Sequence, residues 1–207
     1  MLSRREFVVT SICVCLPFGR AAAEASPEQV QGAARFIAWL AEQAIAVLRA
    51  ENGSLEQRES AFRRLLSQGF DVPFIGRFVL GRYWPQVSAE QQHDYFALFS
   101  EFLLQTYSRR LGGYAGERFT VTGARAAGRQ DVVVATRIDR PSGPPIEADW
   151  RVRVVGQQYK IIDVAVEGVS MAVTQRAEFT TVIQNHGMEG LLQALRVRTQ
   201  TYSAKAS

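Results

Sequence analysis

Cysteine is scarce in this chain, and its placement narrows the chemistry that the protein can perform. The 207 residues include two cysteines, Cys13 and Cys15, and neither follows the small residue that marks a site of lipid attachment. Both lie in an N-terminal segment with the features of a removable leader. A chain that has lost this segment has no disulfide, no thiolate nucleophile and no cysteine-based metal site.

Histidine and the common catalytic motifs are also nearly absent. The two histidines, His93 and His186, lie in separate helical segments without HExxH spacing. No G-x-S-x-G elbow or phosphate-binding glycine loop is present. The net charge is only +4 and the arginines are scattered, so no nucleic-acid partner is indicated. The sequence therefore predicts no catalytic residue, no metal and no enzymatic activity.

The apolar stretch near the N-terminus is too short to cross a bilayer as an ordinary helix. Arg4 and Arg5 precede this stretch at 7–18, and small-x-small sequences follow at 21–23 and 23–25. This order is typical of a cleavable signal peptide, which we place at residues 1–25. The segment S-R-R-E-F resembles a twin-arginine signal, and a Sec signal is the open alternative. Either route predicts an exported protein.

The first half of the remaining chain carries the start signals of several helices. Capping patterns begin at Ser26, Ser54 and Ser88, and Asp71 can cap a further helix. Apolar residues recur at helical spacing after each of these positions, and those after Ser88 are strongly aromatic. These patterns predict four helices before residue 112.

The spacing then changes to the alternation of β-strands between Phe119 and Glu167, and helical spacing returns after Ser170 with a break at Gly187. We predict an α+β domain at residues 26–198, followed by a flexible tail at 199–207. In this fold an antiparallel sheet of four to five strands packs against about six helices, with an apolar cavity between them.

Apolar and aromatic side chains are predicted to converge on this cavity from helices and sheet. A filled core explains the same alternation, and the pattern alone does not separate the two. The residues that we expect to line the cavity are Phe74, Phe78, Val79, Phe99, Leu103, Trp150, Val152, Val164, Val166 and Val169.

One segment resembles the signature of a known family. Residues 163–170 read D-V-A-V-E-G-V-S and resemble the D-V-x-V-E-G-V-S signature of the MlaC, or toluene-tolerance, family. Residues 80–84, L-G-R-Y-W, resemble its L-G-x-x-W segment, and 69–71, G-F-D, resemble its F-D turn. The likeness extends from about residue 33 to residue 195.

The resemblance implies a periplasmic carrier of an ABC-type intermembrane lipid transport system, and we expect this carrier to be a monomer. The ligand would be a phospholipid, or a hopanoid-type lipid as in the similar HpnM branch, and no other cofactor is implied. The implied partners are an inner-membrane ABC-type complex and an outer-membrane lipoprotein/porin complex. Acyl chains would lie inside, with Arg82, Arg151 and Arg153 as candidates to attract the phosphate at the mouth.

Two alternatives from other classes stay open at this point. One is a small isomerase-like or hydrolase-like enzyme on a cone-shaped α+β scaffold, with Asp163 as its acid–base residue. The other is an adaptor with a filled core and an exposed apolar patch. The presence of a cavity and the surroundings of Asp163 distinguish these from a carrier.

Overall fold

The computed structural model describes residues 24–49, 55–108 and 116–206. Helices come first, then a meander of strands, then a last helix, and this order confirms the predicted α+β class. The helices are α1 (Pro27–Arg49), α2 (Leu55–Gly69), α3 (Val72–Leu80), α4 (Ala89–Ser108) and α5 (Met171–Ala206), with a 3₁₀ turn at Gly81–Gln86. The strands are β1 (Arg118–Ala126), β2 (Asp131–Asp139), β3 (Ile146–Val155), β4 (Gln158–Val166) and β5 (Val169–Ser170).

Two helices begin with the reciprocal capping pattern that the sequence predicts. The Ser26 N–H donates to Gln29 Oε1 at 2.7 Å, and the Gln29 N–H donates to Ser26 Oγ at 3.3 Å. Ser88 and Gln91 repeat this pair of bonds at 3.3 and 3.2 Å. Each pair satisfies two N–H groups that have no partner within the helix. The predicted cap at Ser54 lies outside the described residues.

The short helix α3 is fixed at both ends by local chemistry. The Asp71 carboxylate accepts the Phe74 N–H at 2.9 Å, as predicted. Gly81 follows the helix with φ of 53°, a backbone conformation that glycine adopts without steric cost. Pro85 then lies within the 3₁₀ turn, which separates α3 from α4.

The five strands form one antiparallel sheet in the order β1-β2-β3-β4-β5. Trp150 in β3 pairs with Val134 in β2 and Val164 in β4, so these three side chains share one face. We call this the inner face. The last hairpin uses a two-residue turn, Glu167–Gly168, in which both residues have positive φ.

Apolar side chains form two cores, one on each side of a central space. In the first, α1 packs on the inner face of the sheet, with Ala33, Ile37 and Leu40 against Val132, Val134, Val152 and Ile161. In the second, α3, α4 and α5 pack on one another through Val79, Leu80, Tyr95, Phe99, Phe179, Leu191 and Leu192. The cavity described below lies between these cores.

The last helix breaks at Gly187, as predicted, where φ is 69° and ψ is −177°. The expected tail starts differently, because Thr199 is helical and buried and the helix continues to Ala206. The Gln105 side chain donates to the Thr199 carbonyl at 3.1 Å. The polar composition of this segment does not reveal that α4 supplies a partner so far away in sequence.

The predicted signal peptide lies outside the described residues except for Glu24 and Ala25. Ala25 is buried, and its N–H donates to the Gly128 carbonyl at 3.1 Å in the β1–β2 hairpin.

In the three ranges that the structure describes, no helix combines the length and the apolar composition needed to cross a membrane.

Candidate functional site

A cavity of about 570 Å³ lies between the two cores, at the end of the sheet where β1 and β3 begin and β2 and β4 end. Its volume falls within the range of about 300–1,000 Å³ that is usual for small-molecule sites. Arg140 belongs to the lining and is exposed, so the cavity reaches the surface at this residue. The site is therefore a pocket with a mouth near the end of β2.

One long wall of the pocket comes from α1 and α2. The α1 residues recur at intervals of three or four, which places them on one face of the helix. Among them Ala41 and Ala44 have small side chains, which leave room beside their larger neighbours. The lining residues from these helices are Ile37, Leu40, Ala41, Ala44, Ile45, Leu48, Phe62, Leu65 and Leu66.

The sheet supplies an opposing wall, with Trp150 as its largest member. The Trp150 indole N–H donates to Thr136 Oγ1 at 2.9 Å, and the Thr136 hydroxyl donates to the Ala148 carbonyl at 2.8 Å. Because the polar atom of the indole is bound within the sheet, the ring presents apolar surface to the pocket. In the described part of the chain, no buried side-chain nitrogen or oxygen lacks a hydrogen-bond partner. Such a wall is suited to hydrocarbon.

The structure brings six of the ten expected residues together around the pocket. They come from α3, α4, β3 and β4, which converge although they are far apart in sequence. These six are Val79, Phe99, Leu103, Trp150, Val164 and Val166. The walls from α1 and α2 were not among the expected residues, although their helical spacing is visible in the sequence.

The other four expected residues lie outside the lining. Val152 is 1% exposed and fills the core under α1, whereas Val169 is 55% exposed on β5. The Phe74 ring is covered by the Arg153 guanidinium at 4.6 Å, and the Phe78 ring by Arg176 at 5.3 Å. Both rings lie on the side of α3 that faces these cations.

The three arginines expected at the mouth also lie elsewhere. By strand alternation, Arg151 and Arg153 are on the outer face of the sheet, where both bind Asp131 at 2.6–2.9 Å. Burial alone would raise the pKa of Asp131, but the hydrogen bonds and charges of Arg153 and Arg151 outweigh it and hold this pKa below its ordinary value. Arg82 donates to the Tyr83 hydroxyl at 2.9 Å.

The charged residues in the lining that the sequence reasoning missed are Glu117 and Arg140. Both lie just beyond the strand ends, where β1 begins and β2 ends. They could have been found by extending the strand alternation by two residues. Arg140 follows Ile138 by two positions and Glu117 precedes Phe119 by two, so each continues the face of its strand that lines the pocket.

Asp163 is part of the pocket wall, and its carboxylate accepts hydrogen bonds from two backbone N–H groups and one hydroxyl. Its Oδ1 accepts the Val164 and Ala172 N–H groups at 2.8 and 3.1 Å, and its Oδ2 accepts the Ser170 hydroxyl at 2.6 Å. Ser170 Oγ in turn accepts the Val173 N–H at 3.1 Å, which caps α5. These bonds assign Asp163 to the β4–α5 connection.

No group of three or more histidine, cysteine, aspartate or glutamate side chains is placed to hold a metal ion within residues 24–49, 55–108 and 116–206.

The fold and the pocket together define the class: an α+β ligand-binding protein with a largely apolar pocket between helices and sheet. The family model described as "MlaC protein" matches residues 39–197. The chain belongs to the MlaC family, which confirms the resemblance of its sequence.

Curated relatives of this chain include two named proteins. "Intermembrane phospholipid transport system binding protein MlaC" of Haemophilus influenzae is 24% identical over 130 residues, 61% of each chain. "Toluene tolerance protein ttg2D" of Pseudomonas putida is 23% identical over 128 residues, 61% of this chain and 60% of the relative. The matches thus span about three fifths of these relatives.

A solved structure shares the fold over nearly its whole length. The phospholipid-binding protein of Ralstonia solanacearum, described in complex with a phospholipid, has a TM-score of 0.72 and 24% identity to this chain. The superposition covers 83% of this chain and 98% of the other. The arrangement of helices around a meander sheet is therefore common to both proteins.

Proposed function

We propose that this protein is a periplasmic phospholipid carrier of an ABC-type intermembrane lipid transport system. The observation that carries the proposal is the apolar pocket of about 570 Å³, which opens to the surface at Arg140. Membership of the MlaC family and the names of the relatives support the same activity. No chemical step is part of the proposal, because binding and release are sufficient for transport.

A lipid carrier must offset the free energy that an acyl chain loses when it leaves the bilayer, and the apolar pocket can do so. Transfer of hydrocarbon from water to an apolar environment is favourable by about 0.8 kcal/mol per CH₂ group. A chain of ~16 carbons is therefore stabilised in a bilayer by about 13 kcal/mol relative to water. A carrier must provide a comparable apolar environment, or the lipid stays in the membrane. Trp150, Val164 and Leu103 supply such a surface on the walls of the pocket.

The partners and the location of the carrier belong to the same proposal. Delivery between membranes requires an inner-membrane ABC-type complex and an outer-membrane lipoprotein/porin complex, each of which exchanges lipid with the protein. A hopanoid-type ligand would use the same pocket. The mass of the bound ligand separates the two lipid classes.

The experiment compares two valine-to-arginine variants of protein purified from a Gram-negative host. Val164→Arg places a charge inside the pocket, whereas Val173→Arg changes an exposed residue outside the lining. Native mass spectrometry and solvent extraction measure bound lipid, and circular dichroism checks folding. We expect phospholipid in the wild type and Val173→Arg, and its loss in Val164→Arg.

Two results would contradict the proposal in different ways. Equal loading of the two variants would show that lipid binds elsewhere than in this pocket. A wild-type protein that is purified without lipid and takes none from vesicles would exclude the carrier function itself.

A further inference from the structure

The outer side of α3 gathers cations from several parts of the chain. Phe74 and Phe78 lie four residues apart in α3, so their rings are neighbours on one side of this helix. The Arg153 guanidinium lies 4.6 Å from the centre of the Phe74 ring, and the Arg176 guanidinium lies 5.3 Å from that of Phe78. Strand β3 and the start of α5 therefore each place one cation over the same side of α3.

Two further arginines flank Arg176. A Cβ atom added at Gly81 would lie 2.7 Å from Arg176 Nη2, so this guanidinium rests against the residue that precedes Arg82. Arg77 lies one helical turn before Gly81, whose N–H donates to the Arg77 carbonyl. Both Arg77 and Arg82 are exposed, so their charges add to that of Arg176 at the end of α3.

Few carboxylates compensate the charge in this region. We define the basic surface as Arg77, Arg82, Arg151, Arg153 and Arg176. Asp131 binds both Arg151 and Arg153, and the charge of Asp71 also acts on Arg153. Within the described ranges, none of the other three arginines forms an ion pair. Two carboxylates therefore face five cations, which leaves the basic surface strongly positive.

Aromatic rings hold two of these guanidinium groups in place. Arg176 lies over Phe78, and the Arg82 guanidinium lies 5.0 Å from the centre of the Tyr83 ring and donates to its hydroxyl. A guanidinium that is held by its face keeps N–H groups at its edge, and these match two oxygens of a phosphate. A ligand that carries phosphates therefore meets donors that are already oriented.

We propose that the basic surface docks the protein on lipid bilayers that contain anionic phospholipids. Such a bilayer presents many phosphates in one plane, and the guanidinium groups on one side of α3 bind several of them at once. Ile75 and Val79, on another side of α3, line the pocket. Docking thus holds the pocket within about one helix diameter, ~10 Å, of the bilayer. The contact does not use the pocket, so this inference does not rest on the proposed carrier function.

Sedimentation with vesicles tests the proposal. Wild-type protein is mixed with vesicles of phosphatidylcholine alone, or of equal parts phosphatidylcholine and phosphatidylglycerol, and the partition coefficient is measured. We expect binding to the mixed vesicles that weakens as salt is raised, and little binding to phosphatidylcholine alone. Each arginine near an anionic surface contributes about a fivefold factor, so Arg82→Gln combined with Arg176→Gln should lower the partition coefficient about 25-fold.

Two further double variants separate docking from net charge and from folding. Arg35→Gln with Arg64→Gln removes two exposed arginines from α1 and α2, which do not contribute to the basic surface, and should bind nearly as well as the wild type. Arg82→Lys with Arg176→Lys keeps both charges and should retain most of the binding, which an unfolded protein would not. Circular dichroism checks the fold of every variant.

Two results would overturn the docking surface. Equal loss of binding in the two glutamine double variants would show that only the net charge of the protein matters. A wild type that binds neither kind of vesicle at low salt would exclude the bilayer as the partner, and an acidic protein would then be the ligand that these charges fit. Phospholipid that is retained in the purified protein reports separately on the carrier function.

Discussion

The Asp163 carboxylate and the Ser170 hydroxyl lie 2.6 Å apart, and this hydrogen bond fastens the end of β4 to the start of α5. Both residues lie in the D-V-A-V-E-G-V-S segment at 163–170. Between them, Val166 pairs with Val169 across the Glu167–Gly168 turn. The signature is thus a hairpin with an anchor and a helix cap, and it holds the first turn of α5 against the pocket.

Removing the anchor should destabilise the fold. Asp163→Ala loses three hydrogen bonds at partly buried positions, so we expect a loss of roughly 1–3 kcal/mol. Ser170→Ala loses the cap of α5 and should cost about 1 kcal/mol. Urea unfolding of the two single variants and the double variant measures their coupling. Strictly additive losses would contradict a shared network.

The turn in this segment depends on glycine at its second position. Gly168 has φ of 77°, which costs a residue with a Cβ atom about 1–2 kcal/mol. We therefore expect Gly168→Ala to lower the free energy of unfolding by that amount. Gly123→Ala is the matched control, since Gly123 has no positive φ and an added Cβ meets no atom within 4 Å. Equal effects of the two substitutions would argue against this explanation.

The bonds of Asp131 to Arg151 and Arg153 should make the stability of the fold depend on pH in the acidic range. Its carboxylate has a lowered pKa in the folded protein, so the stabilisation is present above the ordinary value of about 3.9 and is lost as pH falls through the folded pKa. Asp131→Asn should cost roughly 1–3 kcal/mol at pH 7, because it weakens the bonds to Arg151 and Arg153. The difference from the wild type should shrink below about pH 4.

Unfolding in urea between pH 7 and pH 3 measures this difference. Asp149→Asn, at an exposed position of the adjacent strand, provides the control and should leave the stability nearly unchanged. A constant difference between the wild type and Asp131→Asn over the whole pH range would contradict the assignment.

Filling the pocket from the helical wall should reduce loading without unfolding the protein. Ala44 lines the pocket, whereas Ala46 on the same helix is exposed and outside the lining. Ala44→Trp places an indole in the space assigned to hydrocarbon, so we expect less bound lipid and an apo protein of similar or higher thermal stability. Ala46→Trp should load normally. Full loading of Ala44→Trp would place the acyl chains elsewhere.

The sequence predicts the local features of this fold because their causes are local. The caps at Ser26, Asp71 and Ser88 involve residues only three positions apart, and strand alternation depends on immediate neighbours. The inner face could therefore be identified in advance. The polar composition of the C-terminal segment does not predict where the last helix ends. Thr199 was expected to begin a flexible tail, but it is helical and buried.

The division of apolar residues between core and pocket could not be predicted in the same way. Trp150 and Val152 share a face of β3, yet only Trp150 reaches the pocket, because α1 covers Val152. The position at which a helix crosses a sheet depends on tertiary packing, which the local sequence pattern does not reveal. For the same reason Phe74 and Phe78 follow helical spacing but face Arg153 and Arg176, whose positions the local pattern does not reveal.

The most direct test of the pocket asks whether acyl chains contact Trp150. Of the three tryptophans, Trp39 is 43% exposed on α1 and Trp84 packs on Phe96 in the second core. Variants that keep only Trp150 or only Trp39, with phenylalanine at the other positions, are loaded with phospholipid brominated along its acyl chains. We predict strong quenching of Trp150 fluorescence and weak quenching of Trp39. Bound lipid that leaves Trp150 unquenched would contradict the account.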